Sequence, residues 1–199
     1  MKLYYANTSP YARKVRIVLR ERGLTDRVTE ILTNPFEENA ALGSANPLHK
    51  VPTLVTSQNT AIFDSAVICG YLDTIGTAAP LIPVGDDRWV ALTAQAMCDG
   101  MLDALFNLVM ERRRPEAERS TMWQERWQVA ILRTADAAEA NMRPFEAQLT
   151  LAQISLGAAL GYADFRTPDI AWRTNRPALR DWFDAFAVRP SMVATDPSL

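Results

Sequence analysis

Ser9 stands directly before Pro10 at the head of an amphipathic segment, and some forty residues on come Lys50-Val51-Pro52-Thr53-Leu54 and then Asp64-Ser65. A serine ahead of a proline reads as a helix start: the hydroxyl caps a backbone N–H, and the proline presets φ at the first helical position. Val51-Pro52 reads as an X-Pro turn. Asp64-Ser65 reads as a second helix start, with Asp64 a good cap in its own right. Two helix starts and one turn offer backbone N–H groups and hydroxyls to something extended and negatively charged. That combination suits a small peptide thiol.

Other chemistries lose their carriers in the composition. The chain has 199 residues, one histidine (His49) and two cysteines (Cys69 and Cys98), and no C-x-x-C. A four-ligand metal cluster and dithiol exchange therefore have no residues to build on, and the two cysteines fall in apolar helical patterns as small core hydrophobes. A formal charge of -2 speaks against a nucleic-acid partner held by bulk electrostatics. No basic leader with an apolar stretch opens the chain and no long apolar run interrupts it, so the expectation is a cytoplasmic protein with no membrane partner.

The elements that must position these residues follow from periodicity. Met1 to Ala6 reads as a buried strand entering a turn, and Tyr11, Val15, Val18 and Leu19 mark the apolar face of a helix that Gly23 ends. Arg13, Lys14, Arg16, Arg20 and Arg22 are expected to form a solvated basic face, and His49 to be exposed and idle. Strands are expected at Val28 to Leu32, Pro52 to Thr56 and Ala61 to Phe63, then a helix at Ser65 to Ile75, giving βαβ followed by ββα. Residues 77–85, rich in Pro, Gly and Ala, read as a connection between a first domain, 1–76, and a second, 86–199. Almost every segment of the second has helical period: one helix runs from Asp86 to the Arg114-Pro115 stop, and another from Ser120 to about Ala147 with a break signal at Arg143-Pro144. Thr150-Leu151-Ala152-Gln153 is a capping box that launches the apolar run Ile154 to Tyr162, expected to be the buried helix, and Pro177 to Val188 is the last clear helix.

An α/β half followed by an all-α helical half, carrying these segments, resembles the glutathione transferase family across essentially the whole chain. The resemblance rests on Ser9 to Arg16, Asn46 to Leu54, Asp64-Ser65 and the Thr150 capping box, and is strongest with bacterial members that have a catalytic serine. Where the family's box usually carries aspartate, this chain has Gln153. The resemblance implies a thioredoxin-like domain that binds glutathione, followed by a helical bundle. It makes Ser9 the catalytic residue, its hydroxyl donating to the glutathione sulfur and favouring the nucleophilic thiolate. Tyr4 and Tyr5 are the competing hydroxyls, and strand alternation lets at most one of them face the helix start.

The same resemblance implies a cis Val51-Pro52 step whose Val51 N–H and C=O pair with the cysteinyl backbone of glutathione. It places Lys50 near the glycyl carboxylate, and Asp64-Ser65 at the γ-glutamyl end. The second substrate is expected between the halves, with Tyr11, Met97 and Met101 as its wall. The function implied is conjugation of glutathione to a small electrophilic, hydrophobic compound by a homodimer that needs no metal. Two alternatives stand beside it: a non-catalytic binding or scaffold member, and a glutathione-dependent isomerase.

Overall fold

Four strands, β1 (Lys2–Tyr5), β2 (Thr29–Leu32), β3 (Thr53–Val55) and β4 (Ala61–Ile62), form a mixed sheet in the order β2-β1-β3-β4. β1 runs parallel to β2 and antiparallel to β3, and β3 runs antiparallel to β4. Three helices accompany the sheet: α1 (Pro10–Glu21), α2 (Ala40–Ala45) and α3 (Ser65–Ile75). The second half holds α4 (Asp87–Arg112), α5 (Thr121–Ala140), α6 (Arg143–Glu146), α7 (Leu151–Arg166) and α8 (Pro177–Ala187), and α9 (Pro190–Val193) follows. This is the fold expected from the sequence, an α/β thioredoxin-like part and an all-helical part. The computed structural model describes residues 1–146 and 148–198. It divides into two units, Met1–Ile82 with Pro190–Leu199, and Pro83–Arg189.

In the first unit Leu3 and Leu54, paired across β1 and β3, are fully buried, and α1 packs on α3. Gly23 takes a φ of +65°, the left-handed turn that ends α1. α2 has no forerunner in the sequence reading, because six residues give too few turns for a period to show; the Asn39 side chain starts it by accepting the Leu42 N–H at 2.9 Å.

The basic face of α1 is not solvated, which corrects the sequence expectation. Arg13, Lys14, Arg16 and Arg22 are all buried, and Arg20 is half-buried. Burial of such groups requires partners, and each partner named here comes from a distant segment. Glu30 on β2 takes Arg16 and also Arg20, the latter at 2.9 Å. Asp73 on α3 pairs with Arg22 at 3.1 Å, while the Arg22 guanidinium also donates to the Asp73 and Gly76 carbonyls at 2.9 and 3.0 Å. Arg13 donates to the Met192 carbonyl at 3.2 Å on α9, which packs against α1, and Ser191 donates to Glu21 at 2.5 Å. Burial pulls the Arg13 guanidinium pKa below its usual range, and nearby Asp196 opposes that shift.

In the second unit α7 is the core helix, as expected, with residues 151–160 all buried. α5 stops at Ala140 rather than running on; Pro144 would drive its ring against the carbonyl four residues back, which is that of Ala140. Ala147, where the sequence placed the end of that helix, lies outside the described residues. The glutamine of the capping box has a physical reason. Its side-chain oxygen accepts the Thr150 N–H at 2.6 Å, and its NH₂ donates to the Phe145 carbonyl at 2.9 Å. An aspartate could make only the first of these bonds. Cys69 and Cys98 are both buried and neither is in a disulfide, and no helix among the described residues is long and apolar enough to cross a membrane.

Candidate functional site

Strand register brings the three segments to one edge of the sheet. β1 and β3 pair Leu3 with Leu54 and Tyr4 with Thr53, so the end of β1 and the Val51-Pro52 step that leads into β3 lie at the same end of the sheet. β3 and β4 pair Leu54 with Ile62, and β4 leads from there to the start of α3 at that same end. The Ser9 N–H donates to the Ala6 carbonyl at 3.0 Å and ties the start of α1 to the end of β1. The α1 start, the Val51-Pro52 step and the α3 start thus share one end of the sheet.

Each segment arrives with hydrogen-bonding capacity to spare. The Ser9 oxygen accepts the Ala12 N–H at 3.2 Å as the N-cap of α1, a bond that uses a lone pair and leaves the hydroxyl proton to donate elsewhere. Val51–Pro52 is cis, and neither the Val51 N–H nor its C=O is engaged among the described residues. Asp64 caps α3 through the Ala66 N–H at 3.1 Å, while the Ser65 N–H and hydroxyl have no partner among the described residues. Ser65 is buried, Asp64 and Lys50 are exposed, and the Lys50 ammonium carries no ion pair among the described residues. Two helix N-termini and one ammonium offer donors to an anionic ligand, against which stands the Asp64 carboxylate.

The two tyrosines of β1 part company as alternation requires. Tyr4 shares a recess with Ala41 and Ala45 of α2, whereas Tyr5 lies under the Arg16 guanidinium of α1, 4.4 Å from its ring centre. Tyr11 and Met97 are half-buried, and Met101 is buried on α4. Among the described residues no group of three or more His, Cys, Asp or Glu is placed to hold a metal ion.

Two residues matter more than the sequence suggested. His49 is not idle: at a φ of +52° its ring nitrogens face the Pro35 and Asn39 carbonyls at 3.2 and 3.3 Å, holding the segment before α2 to the loop that carries Lys50. Those carbonyls lie ten and fourteen residues upstream, beyond the reach of local pattern. Asn46 is buried and organises the same loop, donating to the Lys50 carbonyl at 3.2 Å and the Thr53 hydroxyl at 2.9 Å, and accepting the Leu48 N–H at 3.0 Å. The Asn-Pro pair at 46–47 was the available signal, as a turn that an Asn side chain can brace. Asn46→Ala is expected to lower stability by about 1–3 kcal/mol, since it strands buried polar groups. Urea denaturation measures that loss, and an unchanged midpoint would show the loop to be held by other contacts.

Both parts of the chain are similar to known proteins. Residues 8–75 match the glutathione S-transferase N-terminal domain and residues 121–185 match the glutathione S-transferase C-terminal domain. An uncharacterized GST-like protein of Escherichia coli K12, YibF, is 31% identical over 201 residues, spanning 99% of this chain and 98% of that protein. The crystal structure of a glutathione transferase family member from Pseudomonas fluorescens Pf-5, with bound glutathione, superposes with a TM-score of 0.95 at 36% identity and covers 100% of this chain and 99% of that one. A glutathione S-transferase from Methylobacillus flagellatus KT with glutathione bound gives 0.92 at 32% identity, over 98% of each chain. On sequence and fold together, the chain belongs to the glutathione S-transferase family.

Proposed function

We propose that this protein is a glutathione transferase that joins the glutathione thiolate to the electrophilic carbon of a small hydrophobic compound. The observation that supports it best is the convergence of Ser9, Val51 and Ser65 at one sheet edge with their donors unspent. In this reading Ser65, at the start of α3 beside its cap Asp64, receives the γ-glutamyl carboxylate. Val51 pairs with the cysteinyl backbone, and Lys50 meets the glycyl carboxylate. The Ser9 O–H donates to the sulfur.

Magnitudes permit a site with no general base. Lowering a thiol pKa by ~2 units needs roughly 2.7 kcal/mol of differential stabilisation. A hydrogen bond to a charged group supplies ~1.5 to 3 kcal/mol, and a helix N-terminus ~0.3 to 1 more. The thiol proton then leaves to solvent on binding. The sulfur lone pair forms the S–C bond, and the displaced group departs with the carbon's bonding pair. Residues 1–76 serve as the glutathione-binding domain of a cytoplasmic homodimer.

Calorimetric titration with glutathione tests the reading. Saturable binding with a Kd below about 1 mM, accompanied by proton release near neutral pH, is the expected result. Silence up to about 10 mM glutathione would remove every glutathione-dependent activity and leave a binding role of another kind.

A further inference from the structure

His49 occupies a backbone position that suits glycine. Its φ of +52° lies in the left-handed region, where a Cβ crowds the main chain and a residue without one rests freely. A side chain kept there is held by its surroundings, and three sets of contacts do so. The His49 N–H donates to the Asn46 carbonyl at 2.8 Å. The ring nitrogens Nδ1 and Nε2 face the Pro35 and Asn39 carbonyls at 3.2 and 3.3 Å, so whichever of them carries the proton, the ring is tied to the segment that starts α2. The ring also lies against the bare backbone of α2, since a Cβ added at Gly43 would come to 3.4 Å from the His49 Cδ2.

The consequence falls on Lys50. Its carbonyl accepts the Asn46 side-chain NH₂ at 3.2 Å and the Thr53 hydroxyl at 2.8 Å, while the residue before it is clamped by the ring. The main chain at Lys50 is thus fixed from both sides, yet its side chain is exposed and its ammonium has no ion pair among the described residues. A rigid loop beneath an unengaged cation lowers the ordering cost of meeting an anion. Asn46 by itself accounts for a well-braced turn. It does not account for the ring at position 49, where glycine would make the same turn at less strain.

We propose that His49 is a positioning residue for the glycyl end of glutathione: its ring, set between the Pro35 and Asn39 carbonyls, holds Lys50 where the ammonium meets the glycyl carboxylate. The inference rests on the transferase reading, which brings those two charges together. It adds that the preference for a charged glycyl end depends on a side chain that touches no part of the ligand.

Calorimetry on the full-length protein, with glutathione and with its glycyl monoethyl ester, tests this. The ester keeps the whole tripeptide and removes only the glycyl charge. The parent should prefer glutathione by about tenfold, and His49→Gly should shrink that preference to about threefold or less, weakening glutathione while leaving the ester within about twofold. Turnover at saturating glutathione should stay within about twofold, because Ser9 is untouched, so the loss appears in KM and not in kcat. Glycine accepts the left-handed turn, so the variant should fold; unchanged circular dichroism checks that. A preference that survives His49→Gly would overturn the assignment, as would equal weakening of both ligands, the mark of a residue that only supports the fold. A parent that binds both ligands alike would remove the contact between Lys50 and the glycyl carboxylate, and the role of His49 with it. A parent that binds neither would instead remove the transferase reading itself.

Discussion

Replacing Ser9 with alanine is expected to slow glutathione conjugation by about 10- to 150-fold, the loss of one hydrogen bond to a charged sulfur worth ~1.5 to 3 kcal/mol. The pKa of bound glutathione should rise by about 1–2 units, read from the ultraviolet absorbance of the thiolate against pH. Affinity for glutathione should change far less, because Lys50, Val51 and Ser65 are untouched. The same substitution removes the cap of α1, at a cost of about 1 kcal/mol in stability, so Ser9→Thr is the control: it keeps both the cap and the donor and should restore most of the rate. If Ser9→Ala turns over like the parent, the activating hydroxyl is another group, and Tyr5 and Tyr4 are the next to test.

Stability should respond most to Asp73→Ala. The Asp73 side chain is 8% exposed and its partner Arg22 3%. Besides that ion pair, its carboxylate accepts the Leu81 N–H at 2.7 Å and the Ile82 N–H at 3.1 Å. Alanine would leave a buried guanidinium with carbonyl partners alone and two backbone donors without theirs, for a loss of about 3–5 kcal/mol. That is a third or more of the stability of many domains. Moving away is not open to Arg22 on the Gly76 side: even a Cβ added at Gly76 would lie 2.7 Å from the Arg22 Cβ. Guanidinium denaturation at neutral pH measures the effect; a loss under ~1 kcal/mol would mean that water reaches Arg22 and replaces the carboxylate.

Much of the molecule could be read from the chain because its signals are local. A cap, a proline and an apolar period lie within a few residues of one another, and they placed α1, α3, α7 and the strands close to where they stand. The same locality failed at Arg13, Lys14, Arg16 and Arg22. Spacing puts Arg13, Lys14 and Arg16 mostly away from the apolar face and Arg22 beyond the end of the helix, but it cannot say that Glu30, Asp73 and the segment around Met192 will come to cover these groups. His49 and Asn46 were undervalued for the same reason, since their bonds cross a loop rather than follow a period. At the candidate site, the motifs supplied residue types and order. Register supplied their meeting, which no linear pattern contains.

The last ten residues give the molecule an uneven modularity. Because Pro190–Leu199 belongs with Met1–Ile82, the helical unit interrupts the sequence of the first unit rather than following it. A gene fragment cut after residue 82 would therefore encode a sheet whose first helix has lost the lid over Arg13 and the hydroxyl that greets Glu21. Exchange of helical units between relatives must then splice at two points, and a graft that swaps everything downstream of the sheet must bring a compatible tail with it.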